Sequence, residues 1–347
     1  MPHPRPLTRR TLLAATASLT VPNLAQAAQV AQAAQDDATE IRVAIGNGIA
    51  YLPFHVGLKK GLFAAALARA GFPTVNVAWP RISGTSAMND AMLSGSIDLY
   101  VAGIPGVLIV WDRTKGRSNA ILGCAGVTTV PLSLVTVTDR IKSLADISPQ
   151  DRIALPSIAG TPATVIRMAC EQTFGPGQHG RLDRNMVALA HPDAMTALLN
   201  RSEITAYLGA PPFTDIIARD PRARVLLRST DVFGGPSSFV LLSARKAYAE
   251  RNPSLVAALV SGLQQAAEAI AADPREAAVI YLEAEPSRAF SLDLVSEILR
   301  DPATEFSTRP QGVMKTAEFM ARVGELRTPP LVWTDVFVLG SHRLAGT

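Results

Sequence analysis

Arg81-Ile-Ser-Gly-Thr-Ser-Ala-Met-Asn-Asp-Ala-Met-Leu-Ser-Gly-Ser-Ile-Asp-Leu-Tyr-Val-Ala-Gly-Ile-Pro-Gly106 reads as a hydroxyl-rich helix start, a short helix, a Ser-Gly stop and an apolar strand opening into glycine. That order is a βα unit able to hold a ligand. The first turn of a helix leaves backbone N–H groups unpaired and carries partial positive charge, so a start flanked by Ser83, Thr85 and Ser86 suits a small anionic or polar molecule. The spacing predicts a helix over 87–93 and a strand over 97–101 that ends at Ala102-Gly103-Ile104-Pro105.

The same alternation extends to both sides. Strands are predicted at 41–45 and 75–79 around a helix at 52–70. A second series places strands at 153–155, 186–189, 204–208 and 224–227 between helices at 162–174, 192–199 and 212–219. Short apolar strands alternating with helical periods signal parallel βαβ architecture, here in two α/β lobes. Leu132 to Val137 and Asp231 to Leu242 fall between the series and read as paired crossovers or a hinge, with Gly234 and Gly235 as hinge candidates. Beyond Arg245 the pattern is helical, at 253–272, 274–283, 291–299 and 311–323, and these helices are expected to pack on the first lobe. The expected boundaries are 40–130 with 238–340 for lobe one and 131–237 for lobe two.

The N-terminus reads as an export signal. Arg5, Arg9 and Arg10 precede an apolar, small-residue stretch from Leu12 to Leu24, and Ala25-Gln26-Ala27 fits the small-x-small cleavage rule. Thr8-Arg9-Arg10-Thr11-Leu12-Leu13 resembles a twin-arginine signal, with Ala14 where a lysine often stands. Residues 1–27 are expected to be removed, and the Ala/Gln-rich residues 28–39 to form a mobile tail. A spanning helix needs roughly 20 largely apolar residues; the leader falls short, and no later segment is expected to qualify.

The chain has 33 Lys+Arg against 29 Asp+Glu, and loss of the three leader arginines leaves 30 against 29. A near-neutral mature chain without a basic block argues against nucleic acid and anionic membrane surfaces as partners. Two cysteines, Cys124 and Cys170, lie in apolar settings away from the cleavage site, which argues against lipidation and points to ordinary burial, although export permits a disulfide. Enzyme signatures are missing: there is no Gly-x-Ser-x-Gly, no phosphate loop ending in Gly-Lys-Ser/Thr and no His-Glu-x-x-His, and the five histidines are scattered. No metal site and no cofactor is expected.

Ile41-Arg-Val-Ala-Ile45, Tyr51-Leu-Pro-Phe54, Lys60-Gly-Leu-Phe63, Leu93-Ser-Gly-Ser-Ile-Asp98, Asp151-Arg-Ile-Ala-Leu-Pro156, His191-Pro-Asp-Ala194 and Pro211-Pro-Phe213 follow one another in an order that resembles the periplasmic solute-binding proteins of nitrate/sulfonate/taurine-type ABC importers. The likeness runs from about Ile41 to Phe337. It implies a type II periplasmic-binding-protein fold, two βαβ lobes joined by a two-segment hinge. It further implies a monomer that captures a small organic anion between its lobes and delivers it to a membrane permease and its ATPase. A periplasmic location follows from export without lipidation.

Open α/β sheets bind ligands beyond the carboxyl ends of their strands. Lobe one thereby nominates Asn47, Gly48 and Tyr51 after its first strand, Ser83, Gly84 and Thr85 after its second, and Gly103 with Ile104 after its third. Lobe two nominates Ala159, Gly160 and Thr161, with Thr161 as an expected N-cap before Pro162, and then His191, Pro211 and Phe213. Each has a plainer alternative: the hydroxyls cap helices, the Tyr51 ring packs, His191 starts a helix, Asp193 serves the helix dipole, and Arg81 faces either an anion or water. Trp79 reads as core. Two other readings share the fold: a pyrimidine-precursor binding protein or synthase, and a sensory module that presents its ligand to a receptor. The expected ligand is a monoanion.

Overall fold

The computed structural model of the chain describes residues 40–347, so the expected leader and the tail at 28–39 lie outside the described residues. Among the described residues ten strands form two mixed five-stranded sheets. The first contains β1 (Glu40–Ala44), β2 (Asn76–Ala78), β3 (Leu99–Gly103) and β4 (Ile121–Thr128). The second contains β5 (Ser133–Thr136), β6 (Ile153–Leu155), β7 (Met186–Ala188), β8 (Ala206–Gly209) and β9 (Arg224–Arg228), after which β10 (Val240–Arg245) returns to the first. Spatial orders are β2-β1-β3-β10-β4 and β7-β6-β8-β5-β9, so the two sheets share one topology. In each sheet four strands run the same way, and the strand that follows a crossover is inserted antiparallel among them, β10 between β3 and β4, and β5 between β8 and β9.

That insertion corrects part of the sequence reading. Residues 133–136 and 240–245 are sheet strands, and the crossings themselves are the short links 129–132 and 229–239. The links lie side by side: the Phe239 N–H donates to the Thr128 carbonyl at 2.7 Å, and the Leu132 N–H donates to the Ser229 hydroxyl at 2.9 Å. A third segment straps them, with Gly126, Thr129 and Ser238 donating to the carbonyls of Thr308, Glu305 and Gln311 at 2.8–2.9 Å.

The helices are α1 (Leu52–Lys59), α2 (Leu62–Arg69), α3 (Thr85–Ser94), α4 (Ile104–Thr114), α5 (Thr161–Phe174), α6 (His191–Leu199), α7 (Phe213–Ala218), α8 (Ser229–Phe233), α9 (Lys246–Arg251), α10 (Pro253–Ala272), α11 (Pro274–Ala284), α12 (Leu292–Arg300) and α13 (Val313–Arg322). The predicted helix at 52–70 is broken where Gly61 takes a left-handed φ of 66°, and α4 was not anticipated. Gly95, at φ 78°, ends α3 with its N–H on the carbonyls of Ala91 and Met92, a left-handed cap that favours glycine.

Helix α10 corrects another expectation: its 20 residues are long and apolar enough to cross a membrane by length and composition. Here Leu255, Leu259, Leu263 and Ala266 form a buried stripe packed on α1 and α2. The C-terminal helices do not serve the first lobe alone. Helix α13 packs on α4 and reaches α5 through Arg322–Glu171 at 2.8 Å, and just beyond it Arg167 pairs with Glu325 at 2.9 Å.

Buried carboxylates tie each sheet together. Asp98 takes Nε of Arg42 and a terminal nitrogen of Arg245, both at 3.1 Å, joining the ends of β1 and β10. Asp151 takes the Ser148 N–H and hydroxyl, both at 2.7 Å, and pairs with Arg140. Both cysteines are free and buried, Cys124 in β4 and Cys170 in α5, and burial pushes their thiols up to about 12 and about 11. Thiols held so far from ionisation are structural rather than reactive. Trp79 packs against Phe54 and Phe63 with ring centroids 5.6 and 4.9 Å away.

Candidate functional site

Chain segments leaving the carboxyl ends of both sheets line one cavity of about 760 Å³. Asn47 and Tyr51 reach it after β1, Ser83, Gly84 and Thr85 after β2, and Gly103 at the end of β3. From the second sheet come Gly160 and Thr161 after β6, His191 after β7 and Phe213 after β8. Phe239 enters from the second crossover, and Glu285 and Phe290 from the segment after α11.

Three helix starts face this space. The N-caps of α3, α5 and α6 are Gly84, Gly160 and Ala190, and none of these helices carries a side-chain cap, so the first-turn N–H groups they have, Pro162 and Pro192 lacking one, remain available to an acceptor. Thr161 is therefore not the N-cap expected from the sequence: it is the first helical residue, and its hydroxyl donates to the Phe239 carbonyl at 3.1 Å. The two lobes meet closely here. A Cβ on Gly103 would lie 2.7 Å from Thr161 Oγ1, and one on Gly160 would lie 3.2 Å from Thr85 Oγ1.

Four nominated residues do not line the cavity. The Gly48 N–H is bound by both carboxylate oxygens of Glu285, at 2.9 and 2.7 Å. Ile104 opens α4 with its side chain buried in the core. The Ala159 N–H is turned onto Ser157 Oγ at 3.3 Å. Pro211, joined to Pro212 by a cis peptide, is buried, and Phe213 supplies the wall instead. Gly234 and Gly235 lie outside the cavity and close α8, with Gly234 in the left-handed region at φ 66°.

The sequence reading missed Phe239, Phe290 and, above all, Glu285. Its carboxylate receives the Gly48 N–H, His55 Nε2 at 3.2 Å, Arg81 at 3.3 Å and the Tyr281 hydroxyl at 3.4 Å. Burial alone would raise this carboxyl, but the hydrogen bonds from His55 and Gly48 and the positive charge of Arg81 outweigh it and hold the group below the usual glutamate range. Arg81 also donates to Asn47 Oδ1 at 2.8 Å and to the Ala284 carbonyl at 3.4 Å. It faces the cavity as half of an ion pair, not as an isolated cation.

On the opposite wall the His191 ring stacks on Phe213, centroids 5.1 Å apart and planes 8° from parallel. Its Nδ1 is hydrogen-bonded to the Tyr207 hydroxyl, and burial pulls its pKa down to about 4, so the imidazole is neutral at physiological pH. Among the described residues no group of three or more His, Cys, Asp or Glu is arranged to hold a metal.

No protein-family model and no curated protein matches the chain. Solved structures do. The alkanesulfonate-binding protein SsuA from Xanthomonas axonopodis pv. citri, bound to MOPS, matches with a TM-score of 0.69 and 17% identity over 87% of this chain and 99% of that one. The periplasmic nitrate-binding protein NrtA from Synechocystis PCC 6803 matches with a TM-score of 0.57 and 14% identity over 75% of this chain and 70% of that one. A Candida albicans gene product with the generic periplasmic binding protein fold matches at 0.65 and 13% identity, over 86% and 96%. The fold is that of the periplasmic binding proteins, two α/β lobes with a cavity at the carboxyl ends of their strands. The first two neighbours are binding proteins rather than enzymes.

Proposed function

We propose that this chain is the extracytoplasmic solute-binding component of an ABC importer, a periplasmic, unlipidated monomer exported by its twin-arginine-like leader and docking with a permease and its ATPase. Lobe one is assigned to 40–130 and 238–340, lobe two to 131–237, and the hinge to the crossovers with Gly234 and Gly235. The observation that carries this reading is the convergence of uncapped helix starts from both lobes on one cavity. A ligand favours a closed form only through contacts that the open form lacks. Charge-assisted hydrogen bonds to such N–H groups are worth about 1.5–3 kcal/mol each, so two or three spread over both lobes supply that difference.

The solute is a small organic monoanion, sulfonate- or taurine-like. The helix starts attract negative charge, while the Arg81–Glu285 pair cancels itself and leaves a second anionic charge uncompensated. The sulfonate- and nitrate-binding neighbours support the same class. A synthase would need a reactive lysine or histidine holding a cofactor; among the described residues no lysine lines the cavity, and His191 is hydrogen-bonded to Tyr207.

Calorimetric titration of the mature chain with taurine, methanesulfonate, nitrate, acetate, sulfate and pyrimidines tests the reading, with recovered solute checked by mass spectrometry. One-to-one binding of a monoanion that is returned unchanged is the expected result. Chemical conversion of any solute, or sulfate binding more tightly than every monoanion, overturns it.

A further inference from the structure

The cavity lining combines the helix starts and the Arg81–Asn47 pair with a set of rings. Phe213, Phe239, Phe290 and Tyr51 are four Phe or Tyr residues among the 27 lining the cavity, about three times the chain's 5% aromatic content. Such enrichment marks a surface shaped for a ligand rather than an average stretch of fold.

Two of these rings, Phe213 and Phe290, are fixed by neighbouring rings. His191 lies parallel on Phe213, the Phe290 edge meets Phe213 at 5.3 Å and 77°, and Phe290 lies over Tyr281 at 6.0 Å and 27°. Phe213 is buried, whereas Phe239, Phe290 and Tyr51 are only half-buried. The placement of Phe213 and Phe290 is thus set before any solute arrives, and the cavity of about 760 Å³ is far larger than nitrate or methanesulfonate fills. Cavities of roughly 300–1,000 Å³ commonly enclose drug-sized molecules.

Resting on the solute-binding reading above, we infer that the solute carries a planar aromatic ring, seated against Phe213, Phe239 and Phe290, with its single anionic group at the helix starts of α3 and α5. Aromatic rings prefer offset-stacked or edge-to-face partners, and this wall offers both, since Phe213 and Phe290 stand nearly perpendicular to each other. A small aliphatic anion held at the helix starts leaves the rings wet.

Calorimetry with benzenesulfonate, cyclohexanesulfonate, methanesulfonate and neutral benzyl alcohol separates the possibilities, because the first three share one anionic head. Benzenesulfonate is expected to bind at least about tenfold more tightly than methanesulfonate and more tightly than cyclohexanesulfonate. Phe290→Leu is expected to reduce that preference to less than about threefold, and Phe239→Leu gives an independent second variant. Equal binding of methanesulfonate and benzenesulfonate overturns the aromatic seat and leaves the solute-binding reading standing. Equal binding of the cyclohexyl and phenyl compounds overturns the planar requirement alone. Binding of benzyl alcohol without any sulfonate overturns the anionic group, and silence from all four overturns both this inference and the reading beneath it.

Discussion

Glu285 places a negative charge on the wall of a cavity proposed to take an anion, and its partners account for its presence there. The carboxylate organises the loop after β1 through Gly48 and fixes Arg81, so the pair is neutral and rigid rather than attractive to charge. Replacing it by glutamine removes the negative charge and frees the Arg81 charge. Glu285→Gln is therefore expected to bind sulfate at least about tenfold more tightly than the parent does, read by calorimetry; unchanged sulfate binding contradicts the assigned role. His191 gives a pH test. Its folded pKa of about 4 lies below the ordinary value of about 6.5, so the unfolded chain takes up a proton that the folded chain refuses as pH falls between them. Stability is expected to fall by up to about 3 kcal/mol as pH drops from 6.5 to 4, with the slope flattened in His191→Asn. Because the imidazole stays neutral, solute affinity is expected to be level from pH 5.5 to 8. Glu285 acts in a lower window: with its pKa depressed, its contribution is present above the ordinary glutamate range and is lost as pH falls through its folded value.

Among the elements, the starts of α3 and α5 are the proposed holders of the solute, and Gly103 lets α5 approach β3. Gly103→Ala would bring a methyl group against the Thr161 hydroxyl and push that start away from the first sheet. Solute affinity is expected to fall by at least about tenfold and stability by about 1–3 kcal/mol, the usual cost of overpacking, measured by titration and denaturant unfolding. The helix-strand alternation was legible because each βα unit carries its own periodicity, and so was the cavity rim, because strand ends nominate themselves. The inserted strands β5 and β10 were misread as crossovers because a β-rich run does not declare its neighbours. Helix α4 was missed behind Gly103-Ile-Pro-Gly106, a loop-like run whose proline is nonetheless tolerated in a first helical turn. Glu285 lies 237 residues from Gly48, beyond any local pattern. A signal was present even so: a carboxylate at the C-cap of α11 sits at the negative end of that helix, and such local misfits mark places where another requirement prevails.

At the scale of the molecule, two sheets of one topology exchange strands through paired links, strapped by the segment around 305–311 and bridged by α13. The proposed solute lies between the lobes and depends on both. Backbone amide hydrogen exchange with and without saturating benzenesulfonate reads that dependence directly. Slowed exchange is expected at 84–88 and at 160, 161, 163 and 164 together, one helix start from each lobe. Protection confined to one lobe, or found instead at the second cavity of about 670 Å³ along Phe337 to Leu344, would contradict it.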